Sequence, residues 1–279
     1  MKKIIAAFDG LKYAESTKDY AVYIAGHTKT HLVGVFLDDP IYTSYKVYDL
    51  VVKDGVSQKK LKEYEEKDRA KRAAAAASFE KDCSKAKLQF SIHHDHNVAI
   101  SALKHESIYS DLLIISSGET LTHYTEKPPT RFIRDLMGDV QCPVLLVPEK
   151  YKPLKKVILL YDGAPSSVFA VKMFSYLMPQ LKHLETEVVS VKPFTSTLHL
   201  PDNRLMKEFM KRHYPNAKYK ILKGFADEEI VKYLKDSGKN ALVVTGAYRR
   251  GMVSRWFKES MADVLQRELE LPLFIAHNK

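Results

Sequence analysis

The segment Gly246-Ala247-Tyr248-Arg249-Arg250-Gly251-Met252-Val253-Ser254-Arg255-Trp256-Phe257-Lys258-Glu259-Ser260 carries the residue types that hold an anion. Gly246 and Gly251 let backbone amides approach an oxyanion closely, and a following helix adds its N-terminal dipole. The hydroxyls of Ser254 and Ser260 and the cations Arg249, Arg250, Arg255 and Lys258 complete a cradle. The same cations also read as a solvated basic surface, the commoner fate of a charge run. Two Asp-Gly pairs, Asp9-Gly10 and Asp162-Gly163, each close a short apolar run. Their carboxylates suit a polar ligand, or they simply make the turn and cap the helix that follows.

Other reactive residue types are less organised. In His93-His94-Asp95-His96, imidazoles two apart on a strand share a face, as metal ligands do, but no Cys or further carboxylate motif completes a set. The run reads as a strand end leading into a helix at Asn97, and no metal is expected. Cys142 lies between an apolar run and a proline, which suits a buried structural thiol better than a nucleophile. Two cysteines are too few for a disulfide framework, so reduced thiols in a cytosol are expected. Neither a Gly-x-Ser-x-Gly elbow nor a Walker lysine motif is present, and no catalytic residue is assigned.

The elements that must position these residues are visible through an internal repeat. Lys2-Lys3-Ile4-Ile5-Ala6-Ala7-Phe8-Asp9-Gly10 recurs 153 positions later as Lys155-Lys156-Val157-Ile158-Leu159-Leu160-Tyr161-Asp162-Gly163. Each copy reads as a buried parallel strand ending in a turn. Thr17, Ala21 and Ile24 then fall in the same helical register as Ala170, Phe174 and Leu177. The ends of the halves match as well: Asp111 to Ser116 with Ala241 to Gly246 at a shift of 130, and Cys142 to Val147 with Leu271 to Ala276 at 129. The first half therefore holds about 24 extra residues, which the segment Ser57 to Lys85 supplies. Rich in Lys, Glu and Ala, with alanines from Ala73 to Ala77, it predicts one long, largely solvated helix. Its alternating Lys59, Lys60, Lys62, Glu63, Glu65, Glu66, Lys67, Asp68 and Lys71 read as a salt-bridged exposed face.

Between its ends each half carries a second strand (His31 to Leu37; Glu187 to Lys192) and a third (Leu88 to His93; Lys218 to Lys223). Alternating strand and helix predicts an α/β fold of two tandem domains, residues 1–149 and 150–279, each a five-stranded parallel sheet with helices on both faces. Prolines at 148 and 153 mark the boundary. Duplicated units of this kind are expected to pair as a pseudo-dimer. In such sheets ligands sit beyond the C-terminal strand ends, which selects Asp9, Asp162, Val191 at the end of the second half's second strand, and the loop from Gly246.

A chain of 279 residues with 45% hydrophobic and 28% charged residues has the length and balance of a folded globular protein. The net charge is +10, yet residues 1–150 hold 22 basic against 21 acidic side chains, so +9 of the surplus lies in the second half. None of the helix-turn-helix, zinc-finger or aromatic RNA-binding patterns accompanies it, so nucleic acid is not an expected partner. The apolar start is ended by Asp9, too early for an export signal, and no run reaches the ~18–20 apolar residues of a membrane span.

The duplication, the strand-one Phe8-Asp9-Gly10, the glycine and hydroxyl loop after strand four and the closing Cys142-Pro143-Val144-Leu145-Leu146-Val147 together resemble the universal stress protein family in its tandem form, across essentially the whole chain. The resemblance implies five parallel strands per unit (Rossmann-like), pairing through the last strands, cytoplasmic stress-response roles and, in some members, ATP binding through Gly, two residues, Gly, nine residues, then Gly with Ser or Thr. This chain keeps Gly246 and Ser260 but places Arg249 and Glu259 at the middle and last glycines. An arginine restricts the backbone yet can bind phosphate, whereas Glu259 repels it. The first half departs further, with Ser116, Thr130 and Arg131 at the corresponding positions and with Glu119 and Glu126 in its loop.

The expectation is a non-catalytic binding protein with a degenerate ATP or other adenine-nucleotide site in the second half, built from Asp162, Val191, Gly246, Arg249, Gly251, Ser254, Arg255 and Ser260, with Asp9 as the first-half counterpart. The alternatives are a nucleotide-hydrolysing enzyme using the same cleft, and an interaction scaffold whose long helix meets a partner. A homodimer through exposed strand edges is compatible with either.

Overall fold

A computed structural model of the chain describes residues 1–38, 42–44, 58–195, 199–237, 240–246 and 261–276. The first half runs β1 (Lys3–Asp9), α1 (Glu15–Thr28), β2 (His31–Leu37), α2 (Gln58–Lys85), β3 (Phe90–Asp95), α3 (Ala99–Ile108), β4 (Leu112–Ser116), α4 (Arg131–Asp139) and β5 (Val144–Val147). The second runs β6 (Lys156–Leu160), α5 (Pro165–Leu177), a 3-10 turn (Pro179–His183), β7 (Glu185–Lys192), α6 (Asn203–His213), β8 (Lys218–Lys223), α7 (Ala226–Ser237), β9 (Ala241–Gly246), α8 (Met261–Glu268) and β10 (Leu273–Ala276).

The strands form one sheet in the order β3-β2-β1-β4-β5-β10-β9-β6-β7-β8. Pairing within each half is parallel, and β5 meets β10 antiparallel, with Leu146 opposite Leu273 and Val144 opposite Ile275. The expected α/β architecture and the pairing through the last strands are thus both present. Because side chains alternate across a strand, Ile4, Ala6 and Phe8 enter one core while Ile5 and Ala7 enter the other. Helices α1, α2, α5 and α6 cover the first face, and α3, α4, α7 and α8 the second. The repeated positions Thr17, Ala21 and Ile24, and Ala170, Phe174 and Leu177, are all buried.

The repeat extends to backbone detail. Pro143 and Pro272 precede the two last strands, and each offers its carbonyl to the neighbouring strand, accepting from Leu113 N and Val243 N at 3.0 Å in both halves. A proline lacks the donor but keeps the acceptor, so it opens a strand without breaking the ladder. The connection between the halves is tied to α1, where the Tyr20 hydroxyl bonds the carbonyl and amide of Lys152 at 3.2 Å.

Three strand boundaries differ from the sequence expectation, the first being the end of the third strand, at Asp95 rather than His93. The third strand begins at Phe90 rather than Leu88, because Lys87 turns left-handed at φ 55 and Leu88 N bonds back to Cys83 O at 3.0 Å, closing the helix. The second strand of the second half begins two residues earlier than expected, at Glu185. The long helix is largely exposed as expected, but one stripe is not: Asp68, Ala75, Ala76, Phe79 and Cys83 are buried.

Phe79 anchors that helix. Its ring lies among Phe8, Phe36 and Phe90, with centroids at 5.5, 6.1 and 6.2 Å. It rests on the bare backbone of Gly34 in β2, where a Cβ would fall 2.7 Å from the ring. Gly34→Ala is expected to lower stability by about 1–3 kcal/mol through overpacking. In a Phe79→Ala background the same change is expected to cost little, because the clash is gone. Urea midpoints of the four proteins measure this, and an equal Gly34→Ala penalty in both backgrounds would refute the contact as its cause.

Candidate functional site

In the second half, the expected ligand positions that are described lie at the C-terminal ends of β6, β7 and β9. Asp162 follows β6 and is exposed. Its Oδ1 accepts from Ala164 N at 2.8 Å and Ser167 Oγ at 2.7 Å, holding the first turn of α5. Gly163 has φ 89, and a Cβ there would sit 2.6 Å from Pro201 Cβ, so this turn requires glycine. The Tyr161 hydroxyl donates to Pro201 O at 3.0 Å and holds that segment over the turn. Val191 is half-buried near the end of β7. The β6–β7 register ends with Leu160 paired to Val189, two residues before Val191. Gly246 ends β9, where a Cβ would come within 2.6 Å of the Ser166 carbonyl carbon and 2.8 Å of Ser167 N. The β9 terminus therefore touches the backbone of the first turn of α5, an approach no other residue permits.

Asp162 and Gly246 thus meet at the first turn of α5, and Val191 stands near the end of β7. Arg249, Gly251, Ser254, Arg255 and Ser260, with the other cations of that loop, lie outside the described residues.

The equivalent place in the first half is described more fully and is filled by the chain itself. Asp9 is 1% exposed, and its Oδ1 accepts from Leu11 N at 2.8 Å. The Tyr42 hydroxyl lies against the same carboxyl, raising the tyrosine's pKa, chiefly through burial and then through the Asp9 charge. Beyond β4, where a bound anion would meet the loop amides, stands Glu119. Its Oε1 accepts from Thr120 N at 2.9 Å and Leu121 N at 3.0 Å. The loop reaches this shape with Leu121 at φ 48. Thr130, the last-glycine position of the nucleotide pattern, is fully buried; it bonds Glu119 O and accepts from Ile133 N at 3.2 Å as the cap of α4. Glu126 accepts from Arg131 N at 2.7 Å. Lys12 donates to Thr122 O. A side-chain carboxylate here takes the backbone donors that an external anion would need, and two buried carboxyls repel such an anion.

Burial, and then the Asp9 charge, push Glu119 up to about 7, while burial raises Asp9 itself. The residues that cover Asp9 carry no motif. Arg72 donates to Tyr42 O at 2.9 Å and Asp68 accepts from Ser44 N at 2.8 Å, so two residues one turn apart on α2 hold the segment that brings Tyr42 in. Their only trace in the sequence is an acidic and a basic residue at helical spacing.

His93 pairs with Glu106 at 2.7 Å and His94 with Asp38 at 3.1 Å, on opposite faces of β3. Among the described residues no group of three or more His, Cys, Asp or Glu side chains is arranged to hold a metal ion. Cys142 and Cys83 are buried free thiols, and burial pushes them up to about 11 and about 12. No described helix is long and apolar enough to cross a membrane.

No protein-family model and no curated protein sequence matches the chain. Solved structures do. A universal stress protein from Archaeoglobus fulgidus DSM 4304 is similar over 99% of this chain and 96% of its own, at 13% identity and a TM-score of 0.69. A functionally unknown protein from Pseudomonas aeruginosa PAO1 is similar over 99% and 92%, at 14% identity and a TM-score of 0.63. The fold of the whole chain, both halves together, is therefore that of a solved universal stress protein.

The buried Glu119 makes stability depend on pH in a definite direction. An unfolded Glu near 4.5 releases its proton well before the folded one at about 7, so the folded chain binds more protons between those values. Stability is expected to fall as pH rises through this window, by a full loss on the order of 3 kcal/mol above it. Glu119→Gln keeps an acceptor for the two amides and is expected to flatten that slope. Urea midpoints from about pH 5 to about pH 8 measure it, and a variant as pH-sensitive as the parent would remove Glu119 as the cause.

Proposed function

We propose that the chain is a tandem universal stress protein that acts by binding rather than turnover, and that its second half holds an adenine nucleotide such as ATP, or another small phosphate-bearing anion. One contrast carries the reading: Asp162 is exposed at the strand ends, whereas its first-half counterpart Asp9 is buried beneath Tyr42 and faces Glu119. Among the described residues, the second half leaves its strand-one carboxylate open to a ligand and the first half does not. The +9 share of the net charge carried by this half favours an anion in the same place.

In this reading Asp162 and Val191 meet the base or sugar, and the amides near Gly246 and Gly251 meet the phosphates. The side chains of Arg249, Ser254, Arg255 and Ser260 neutralise and bond the phosphates. Arg249 at the middle glycine position substitutes a guanidinium for close backbone approach, and Glu259 weakens the site. The protein then works in the cytoplasm, with the first half as a closed structural partner. A nucleotide-hydrolysing enzyme and a nucleotide-free scaffold are the competing readings.

Calorimetric titration and thermal shift of the full chain with ATP and AMP, with and without magnesium, separate the three. Stabilisation by nucleotide without phosphate release is the expected result. Release would establish the enzyme, and no stabilisation would leave the scaffold. Arg255→Ala and Ser260→Ala are each expected to weaken nucleotide binding by about tenfold or more, as loss of a charged or hydroxyl hydrogen bond does. Thr130→Ala is expected to cost about 1 kcal/mol of stability as a lost cap, with no effect on binding. Equal binding losses in the two halves would show that the halves are ranked wrongly.

A further inference from the structure

The outer face of α5 and α6 leaves apolar side chains in water beside unpaired cations. Leu205 on α6 and Tyr176 in the last turn of α5 are each 59% exposed, and Phe209 is half-buried. Leu205, Phe209 and His213 recur every four residues and so stand in one row along α6. His213 carries that row across to α5: its ring lies 4.1 Å from Phe209 and 5.4 Å from Tyr176, centroid to centroid, and its Nδ1 meets Ser175 Oγ at 2.5 Å. Met206 and Met210 are buried in the core and hold α6 in place, so the row sits on a packed element and not on a loose one.

The charges around the row have one dominant sign. Helix α6 carries Arg204, Lys207, Lys211 and Arg212 against Glu208 alone. Lys172 on α5 and Lys182 in the 3-10 turn add to them: burial, and then these two charges, hold the His213 imidazole below its usual range. No ion pair joins any of the six cations to an acidic side chain among the described residues. Helix stability does not account for them all. Lys211 and Arg212 complement the C-terminal end of the α6 dipole, but Arg204 stands in its first turn, where a cation is disfavoured.

An apolar row flanked by unpaired cations is complementary to a surface with fixed negative charge above and hydrocarbon below, which is the make-up of an anionic lipid leaflet. A nucleic acid would satisfy the cations through its phosphates but offers no hydrocarbon to an exposed leucine. We infer that this face docks the protein on the surface of a membrane rich in anionic phospholipid. Leu205, Phe209 and Tyr176 enter the headgroup boundary, and the cations of α6 with Lys172 and Lys182 meet the lipid phosphates. Tyr176 is in the last turn of α5 whereas Asp162 holds its first, so docking leaves the strand-end cleft free.

Cosedimentation of the full chain with vesicles of phosphatidylcholine alone, and of phosphatidylcholine mixed with phosphatidylglycerol, tests this. Binding is expected to the mixed vesicles only, and to weaken as salt rises. Leu205→Ser combined with Tyr176→Ser leaves the charge unchanged and is expected to weaken binding by about tenfold or more. Lys207→Glu with Lys211→Glu is expected to abolish binding, whereas the same change of charge placed elsewhere, Lys62→Glu with Lys220→Glu, is expected to weaken it far less. All six positions are exposed, so urea midpoints are expected barely to move. The inference is overturned if neither vesicle is bound or both are bound equally, if the serine pair binds as the parent does, or if the two glutamate pairs lose equally. It is also overturned by a duplex oligonucleotide that binds with the same dependence on Leu205 and Tyr176, which would assign the face to nucleic acid. None of these outcomes depends on whether the second half binds nucleotide.

Discussion

Two four-residue strands, Val144–Val147 and Leu273–Ala276, pair antiparallel and turn two parallel sheets into one. All eight residues are buried, so the seam is a core element and not a surface contact. Alone, each half would end in an apolar edge with unpaired backbone groups, an open template for association with another chain. Joining the two edges removes that liability inside one molecule. It leaves β3 and β8 as the outer edges, and β8 is lined with Lys218, Lys220 and Lys223, charges that discourage further pairing.

The antiparallel sense of the seam has a further consequence. Strands within each half are parallel, so the C-terminal strand ends of the first half and those of the second point in opposite directions along the strand axis. Ligand positions in such sheets lie beyond those ends. The cleft at Asp9 and the cleft at Asp162 are thereby kept apart, and each half can solve its own electrostatic problem. The first half closes its cleft with Glu119 and Tyr42, and the inserted helix α2 holds Tyr42 in place.

Much of this was legible from residue order. The repeated apolar runs ending in Asp-Gly placed β1 and β6, the Cys-Pro and Leu-Pro runs placed β5 and β10, and the Ala-rich insertion placed α2 within a residue of its start. These are local signals: burial on both faces demands continuous apolar strands, and a run of alanines has few alternatives to a helix. The contacts of Phe79 were not legible, because its partner Gly34 has no side chain to complete a pattern. Nor was the roofing of Asp9, where Tyr42, Asp68, Arg72 and Glu119 come together from three separate segments.

The amino-acid sequence by itself determined the fold class, the duplication and which residues end the strands, since each follows from periodicity and turn chemistry acting over a few neighbouring residues. The tertiary structure alone decided which strand-end carboxylate is open. Asp9-Gly10 and Asp162-Gly163 are identical as dipeptides, yet one is 1% exposed and the other stands exposed at its turn. The difference is made by side chains more than thirty residues away along the chain, whose approach depends on how α2 and the loop after β4 pack. Solvation of a charge is a property of everything around it, and no local spacing encodes that.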